Sequence, residues 1–314
     1  MPNLAPIALF AYARPDHLRQ TLEALSRNRM ADQSELHIYS DGPKPDASAE
    51  TQQRIHEVRT LIREQDWCGT VVIHESAENR GLAASIRGGA SELLESHGRV
   101  IVVEDDLVTS PGFLEYMNSA LETYQDVKTV WHISGFFNQS PYASLLPETF
   151  FLRHMSCWGW ATWKDRWKHA EWDVKKLLEE VNATPETHTE FNLGGCNGYS
   201  DQLERNQRGE IKTWAIFWAT SIFLGGGLCL TPSQSLVRNI GVDGSGENFV
   251  HNEEKRYRVE LADQVSVNKQ NAKVSSLGRF ALQAFLRWGP EATPINHLKG
   301  ELGRLKHRLS KRFA

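Results

Sequence analysis

The chain has 314 residues, of which 40% are hydrophobic and 24% are charged. This composition is ordinary for a folded globular protein and excludes collagen-like, low-complexity and wholly disordered chains. The formal net charge is −4, so no overall positive field exists to hold a nucleic acid by its phosphates. We therefore expect a full hydrophobic core and no nucleic-acid partner.

The first 135 residues predict strands that alternate with helices, because short apolar runs are followed by segments with apolar residues at helical spacing. The predicted strands cover residues 4–13, 36–40, 71–73 and 100–103, and the predicted helices start at residue 15 and cover 49–65, 81–95 and the segment after Ser110-Pro111. Ser110 and Pro111 fit the N-cap and the first turn of that last helix. Strands separated by helices of this length predict an α/β protein with a mostly parallel sheet and right-handed crossovers.

Two apolar features dominate the second half of the chain. Five of the ten tryptophans fall within fifteen residues, and aromatic faces can pack either in a core or on a sugar ring. The helical spacing of Trp160, Trp163 and Trp167 favours the core for these three, whereas Trp158 is favoured as pocket lining. The uncharged run 213–237 is long enough to span a bilayer. Three glycines and a proline interrupt this run, so we expect a buried helix followed by a strand.

Charged residues follow three of the predicted strands. Arg14 follows the first strand, Asp41 the second, and Glu104-Asp105-Asp106 the fourth. Ligands of parallel sheets bind beyond the carboxyl ends of the strands. Three adjacent carboxylates after a buried strand are costly to desolvate. A hard cation such as Mg²⁺ or Mn²⁺, which binds one or two carboxylates together with substrate phosphates, would offset that cost. A solvated turn is the alternative interpretation of the triplet.

A stretch of small residues, 78–90, opens the predicted helix upstream of the acid triplet. Backbone amides at that helix start, together with Arg80 or Arg87, could face an anionic ligand. The stretch lacks the Gly-Lys-Ser/Thr of a phosphate-binding loop, and no Gly-x-Gly-x-x-Gly follows the first strand. These absences weigh against a P-loop hydrolase and a dinucleotide-dependent oxidoreductase. A nucleotidyltransferase is disfavoured because it usually needs a glycine-rich loop directly after the first strand.

Four segments in order carry a family resemblance, namely PIALFAYARPDHLRQTLEAL, IYSDGP, ENRGLAASIRGGASELLE and VIVVEDDLVTSPGFLEYM. In this order they resemble the large bacterial family two of GT-A glycosyltransferases. The Glu-Asp-Asp with SPGFLEYM is most similar to the Golgi N-acetylglucosaminyltransferase that begins complex N-glycans, and to its bacterial relatives. The resemblance covers roughly residues 5–250. It implies a GT-A (Rossmann-like) fold and a nucleotide diphosphate-sugar donor, with a UDP-sugar favoured.

The resemblance also implies roles for single residues. Arg14 and Asp41 would contact the nucleotide, Asp105 would meet the ribose, and Asp106 would hold Mn²⁺ or Mg²⁺ at the diphosphate. Arg80, from the helix-start argument, joins the expected nucleotide-binding residues. The glycine-rich segment 236–247, which contains Glu247 as a candidate sugar-binding acid, suits a loop that closes over the donor. A plain surface loop is the alternative for this segment.

The catalytic base is not implied by the resemblance. An inverting enzyme of this type needs a carboxylate that takes the proton from the acceptor hydroxyl. In the Golgi relative an acid follows a tryptophan at the start of a helix, whereas here Ala215 follows Trp214. Asp201, before that helix, and Asp243, in the glycine-rich segment, are therefore the candidates, and Glu247 in the same segment comes after them. A retaining mechanism stays open.

The end of the chain predicts a basic amphipathic helix. Apolar residues recur at helical spacing at Leu298, Leu302, Leu305, Leu309 and Phe313, and the segment 298–314 carries six basic residues and one acid. Such a helix can lie in an anionic membrane interface, or it can pack on the body of the protein or on a second subunit. The predicted organisation is a nucleotide-sugar-binding half (1–135), an acceptor and catalytic half of the same domain (136–272) and a basic tail (273–314).

The preferred prediction is a metal-dependent, inverting hexosyl- or N-acetylhexosaminyltransferase that acts on a hydroxyl of a bacterial surface glycan or glycolipid precursor. The alternative is a non-catalytic relative that binds a nucleotide-sugar or a glycan and has lost its base. The four cysteines show no Cys-x-x-Cys spacing and the chain start shows no signal-peptide pattern. We therefore expect reduced thiols and a cytoplasmic protein, at the inner face of the membrane if the tail binds lipid.

Overall fold

A computed structural model describes residues 4–244 and 253–290. These residues form ten strands, of which eight make one sheet and two make a separate ribbon. The strands are β1 (Ile7–Ala11), β2 (Glu35–Ser40), β3 (Thr70–Glu75), β4 (Arg99–Glu104), β5 (Leu107–Thr109), β6 (Val130–Ser134), β7 (Thr149–Leu152), β8 (Trp160–Trp163), β9 (Leu228–Pro232) and β10 (Val237–Asn239). The α/β class and the first four strands agree with the sequence prediction.

The large sheet has the strand order β3-β2-β1-β4-β8-β6-β9-β7. Strands β1 to β4 are mutually parallel, and β6 pairs with β9 in the same sense. Strands β8 and β7 run in the opposite direction. The sheet is therefore mostly parallel, and residues before and after position 135 contribute strands to it.

Helices flank the sheet between its strands. They are α1 (Pro15–Ser26), α2 (Ala49–Leu61), α3 (Leu82–His97), α4 (Phe113–Thr123), α5 (Lys164–Trp167), α6 (Val174–Val181), α7 (Pro185–Phe191), α8 (Tyr199–Gln207), α9 (Ala215–Leu224), α10 (Glu254–Tyr257) and α11 (Ser276–Trp288). Helix α1 shows why the sequence folds this way. Pro15 occupies its first turn, and Leu18, Leu22 and Leu25 form a stripe that is fully buried against the sheet.

Strand β4 is buried on both faces, as its run of β-branched residues predicts. Ile101 and Val103 face one hydrophobic core, and Val100 and Val102 face another. Burial of each such side chain contributes about 1.5–3 kcal/mol. The strand is therefore a rigid support, and the acids that follow it are held in place by the cores on either side.

The predicted cap of α4 is wrong. The helix starts at Phe113, two residues later than Pro111 would place it. The Ser110 side chain does not cap it, because its buried hydroxyl has no hydrogen-bond partner among the described residues. Asn28 replaces it. Its Oδ1 accepts from the Leu114 N–H at 3.0 Å, and its Nδ2 donates to Thr109 Oγ1 at 2.8 Å. A residue 86 positions away thus satisfies the start of α4.

The tryptophan-rich segment is a strand at the point where its spacing suggested a helix. Trp160 and Trp163 begin and end β8, and only Trp167 lies in a helix, α5. All three are buried, so the prediction that they belong to the core is confirmed. The uncharged run 213–237 contains a helix, α9, followed by a strand, β9, as predicted. In the described part of the chain, no helix has both the length and the apolarity needed to cross a membrane.

Candidate functional site

The strand order reverses between β1 and β4. From β1 the chain adds β2 and then β3 on one side, whereas β4 lies on the other side of β1. In open α/β sheets, ligands bind in the crevice that forms at the carboxyl ends of the strands at such a switch point. A cleft of about 1380 Å³ opens there, and its lining includes Arg14, Asp41, Arg80, Glu104, Asp105 and Asp106. The structure therefore brings together the predicted nucleotide and metal residues.

Arg14 pairs with two of the three acids that follow β4. It precedes α1, and its Nη2 donates to Asp105 Oδ1 and to Asp106 Oδ2, the latter at 2.9 Å. The Arg14 side chain is 25% exposed, that of Asp105 6% and that of Asp106 14%. Burial opposes the charge of Arg14, but attraction by Asp105 and Asp106 outweighs burial and raises the Arg14 pKa.

Asp105 is the most enclosed acid of the cluster. Its backbone carbonyl accepts from Thr21 Oγ1 at 2.8 Å, and its Oδ2 accepts from the Tyr12 N–H at 3.4 Å. Burial raises the Asp105 pKa, although Arg14 acts in the opposite direction. The residue is thus tied to both β1 and α1 while one edge faces the cleft.

Glu104 is a cleft residue to which sequence reasoning gave no role of its own. It ends β4 in register with Phe10 of β1 and lies in the lining of the cleft. Among the described residues its carboxylate makes no hydrogen bond. Burial and the charges of Asp106 and Asp105 raise its pKa well above the usual range. Side chains alternate between the two faces of β4, so the sequence already places Glu104 on the same face as Val102 and Val100. This alternation was the signal that could have identified Glu104.

The charge of this cluster is unbalanced. Three carboxylates at positions 104–106 meet a single guanidinium, that of Arg14. No group of three or more His, Cys, Asp or Glu residues within 4–244 and 253–290 is arranged to hold a metal by itself. Mg²⁺ and Mn²⁺ need fewer protein ligands, since substrate phosphates and water complete their coordination. The charge of the cluster is therefore compatible with such an ion together with a diphosphate, and the assignment of Asp106 as its ligand stays a prediction.

The ribbon of β5 and β10 brings residues 239–241 against the acid cluster. Asn239 pairs with Leu107, and the N–H of Ile240 donates to the Asp106 carbonyl at 2.9 Å. Gly241 follows, and a Cβ at this position would lie 2.2 Å from Asp106 Oδ2 and 2.9 Å from Arg14 Nη1. Only a glycine allows this approach. Gly241 belongs to the glycine-rich segment 236–247, but nothing in the sequence places it against Asp106.

Asp41 lies at the end of β2 and holds the loop before α3. Its Oδ1 accepts from the N–H groups of Gly42 and Arg80, both at 2.9 Å. Its Oδ2 accepts from the Gly81 N–H at 2.9 Å and from Asn79 Nδ2 at 3.1 Å. The four acceptor positions of the carboxylate are thus used by the protein's own chain. The predicted contact with a nucleotide stays a prediction and would need one of these bonds to be shared or replaced.

Two of the remaining predicted binding residues line the same cleft as the acid cluster. The Arg80 side chain is exposed at the cleft. Trp158 also lines the cleft, and its ring contacts Phe136 at 4.4 Å and Tyr257 at 5.3 Å between centroids. Glu247 lies outside the described residues. Trp158 thus has the position predicted for it, and its role stays a prediction.

Neither candidate for the catalytic base lines the cleft. Asp201 is exposed on α8, although its neighbours Tyr199 and Gln202 do line it. Asp243 is 41% exposed, and its Oδ2 lies 3.2 Å from Nε2 of His17. Ala215 lines the cleft at the start of α9. In the described residues the acids of the cleft lining are Asp41 and the triplet 104–106.

Comparison with known proteins finds a likeness only at the level of the fold. No protein-family model matches the chain, and no curated protein matches it. Among solved structures, the galactosyltransferase LgtC, in complex with donor and acceptor sugar analogues, is 9% identical over 71% of this chain and 72% of its own, with a TM-score of 0.36. Apo mouse xyloside xylosyltransferase 1 is 11% identical over 69% of this chain and 80% of its own, with a TM-score of 0.37.

A structure of TarS from S. aureus is 12% identical over 41% of this chain, with a TM-score of 0.27. The match covers 21% of that protein, so the matched part of this chain spans about a fifth of the length of TarS. Similarity at these scores does not establish a shared activity. The function has to be argued from the cleft and its residues.

Proposed function

We propose that this chain is a GT-A glycosyltransferase that transfers a sugar from a UDP-sugar to a hydroxyl of a glycan or a lipid-linked acceptor. The acid and arginine cluster at the switch point carries the proposal. Arg14 comes from the end of β1, Asp105 and Asp106 from the end of β4, and the cleft starts at these residues. This is the position at which α/β sheets bind nucleotides.

A divalent cation, Mn²⁺ or Mg²⁺, at Asp106 is part of this proposal. Such an ion would neutralise the charge that develops on the leaving diphosphate. The unbalanced charge of the triplet supports it, as does the burial that raises the Glu104 and Asp105 pKa values. We expect Asp105 to accept hydrogen bonds from the ribose and Arg14 to hold the two aspartates in place.

The remaining volume of the cleft suits a second substrate. At about 1380 Å³ it exceeds the 300–1,000 Å³ typical of a site for one small molecule. Trp158 lies in the lining, and its ring makes T-shaped contacts with the rings of Phe136 and Tyr257. Aromatic faces pack well on the C–H surface of sugars. We therefore place the acceptor or the donor sugar beside Trp158.

The test is release of UDP from a panel of UDP-sugars, with and without Mn²⁺, and mass-spectrometric detection of transfer. Asp106→Ala should retain less than about a tenth of wild-type turnover at saturating Mn²⁺, since a metal contributes several kcal/mol. Asp46→Ala is the matched control, because Asp46 is an exposed loop residue and no cleft residue. Full turnover of Asp106→Ala would contradict the metal assignment.

A second candidate is a binding protein that retains the UDP-sugar and does not transfer it. It is favoured by one observation, that the cleft lining among the described residues holds no acid outside Asp41 and the triplet 104–106. Under this alternative, calorimetry would show UDP-sugar binding, and no UDP would be released with any donor or acceptor fraction. Catalytic release would exclude it.

A further inference from the structure

Exposed apolar side chains concentrate at one place on the described surface. Of the five large hydrophobic residues that are exposed there, three lie on or just before α11, namely Val274 (37%), Leu277 (37%) and Phe280 (41%). Leu145, the most exposed at 66%, lies one short turn from Tyr142, whose ring contacts that of Phe280 at 5.1 Å. We call Leu145, Val274, Leu277 and Phe280 the α11 surface.

The opposite side of α11 faces the interior. Ala281 is fully buried, and Leu282 and Phe285 line the cleft described above. Gly278 lies against Phe150, since a Cβ at that position would come within 2.4 Å of the ring. The helix is therefore anchored on one side, while the other side leaves apolar area in contact with water. Exposed apolar clusters of this kind usually mark an interaction site.

The charge around the α11 surface selects an anionic partner. Residues 273–290 contain Lys273, Arg279 and Arg287 and no acid. Arg279 forms an ion pair with Glu190 at 2.7 Å, so Lys273 and Arg287 carry the positive charge that faces a partner. The whole segment 273–314 has a net charge of +7, although the chain as a whole has −4. Apolar area next to clustered basic residues is the combination that binds anionic lipid, at about 1 kcal/mol for each basic residue near the surface.

Two other occupants are disfavoured by the same charges. If residues 298–314 folded back onto α11, six basic residues would approach a helix whose charged residues are both arginines. A second copy of the chain, related by two-fold symmetry, would bring Lys273 and Arg287 of each copy towards the same surface. An anionic bilayer has neither problem.

We propose that the α11 surface rests on an anionic lipid bilayer as a peripheral contact. Leu277 and Phe280 enter the interfacial region, Leu145 enters beside them, and Lys273 and Arg287 face the lipid headgroups. Because α11 also lines the cleft, this contact holds the cleft close to the membrane. That last consequence rests on the proposed function, whereas the contact itself does not.

The test is co-sedimentation of the full chain with vesicles of phosphatidylcholine alone or mixed with phosphatidylglycerol. The wild-type chain should sediment with the phosphatidylglycerol vesicles and much less with phosphatidylcholine alone. The double variant Leu277→Gln/Phe280→Gln should lower the partition coefficient at least about tenfold, since the apolar contact is lost. Leu82→Gln is the control, because Leu82 is 36% exposed but lies on α3.

A second variant guards against misfolding of the first. Leu145→Gln changes a side chain that is 66% exposed, so it should fold normally and still lower vesicle binding severalfold. The proposal is overturned if the wild-type chain fails to bind phosphatidylglycerol vesicles, or if folded α11-surface variants bind like wild type. It is also overturned if light scattering shows a wild-type dimer that the double variant converts to a monomer. UDP release measured without vesicles reports on the proposed function separately.

Discussion

The loop before α3 depends on a single carboxylate, and this dependence can be measured. Asp41 is 9% exposed, and it accepts four hydrogen bonds, three of them from the backbone N–H groups of Gly42, Arg80 and Gly81. Asp41→Asn keeps the shape of the side chain but turns one oxygen into an NH₂ group. Whichever way the amide is oriented, two of the four donors then lose their acceptor.

The expected cost follows from that count. A buried donor without an acceptor costs about 1–3 kcal/mol. Arg80 is exposed and Gly81 is partly exposed, so water replaces part of the loss, and we expect about 2–4 kcal/mol of destabilisation for two donors. This is a large share of the stability of a typical domain, about 5–15 kcal/mol. The change should therefore be plain in a urea unfolding curve.

The assay is urea unfolding of wild type, Asp41→Asn and the control Asp46→Asn, which alters an exposed side chain five residues away. A decrease of less than about 0.5 kcal/mol in the free energy of unfolding of Asp41→Asn lies within the range of ordinary surface substitutions. That result would refute the conclusion that Asp41 stabilises the loop before α3. Calorimetry with UDP on wild type, Asp41→Ala and the control Asp46→Ala separates the two interpretations of Asp41. Direct contact with the nucleotide predicts for Asp41→Ala a loss of about 1.5–3 kcal/mol in UDP binding, and this loss would appear even where stability is unchanged.

Three further predictions concern the site and the core. Gly241→Ala should sharply lower turnover, because its Cβ would lie 2.2 Å from Asp106 Oδ2; Gly88→Ala, where a Cβ meets nothing within 4 Å, is the control, and equal kcat/KM for both would contradict the close approach. Asn28→Ala should destabilise the fold by about 1–3 kcal/mol, since it removes the cap of α4, which urea unfolding will show. Burial lowers the pKa of His132 to about 3. The unfolded chain therefore binds the extra proton below the ordinary pKa of about 6.5, and the stability this histidine contributes is complete above pH 6.5 and lost as the pH falls. At pH 5 the wild type should have lost about 2 kcal/mol relative to pH 7 through this group, and an equal loss in His132→Gln would contradict it.

The parts of the fold that the sequence predicts are those with local signals. The run Val100 to Val103 is apolar throughout, and its neighbours in the sheet are fixed by the right-handed crossovers that helices impose. Arg14, Asp41 and the triplet 104–106 follow directly at the ends of these strands. Their meeting at one edge is therefore a consequence of strand order alone, and the structure brings them to one cleft.

The parts that the sequence does not predict depend on partners far away along the chain. β5 and β10 have three residues each and are joined across more than a hundred positions, so neither gives a periodic pattern. The cap of α4 comes from Asn28, and Ser110 only mimics a local cap. The helical spacing of the tryptophans predicted the wrong secondary structure for a related reason. Trp160 and Trp163 fit a helical period, but β8 pairs with β4 and β6, and those pairings decide its conformation.

The ribbon of β5 and β10 shows that the site combines residues that lie far apart in the sequence. The acids at positions 105 and 106 directly follow β4, and Arg14 donates hydrogen bonds to both of them. Pairing of β5 with β10 then brings the backbone of Ile240 and Gly241 onto Asp106. A side chain at position 241 would occupy the space beside Asp106 Oδ2, which accepts from Arg14, while the Asp106 carbonyl accepts from Ile240. The position of Asp106, and with it any ion or diphosphate bound there, is therefore coupled to the segment that follows β10, although Asp106 and Ile240 are 134 positions apart.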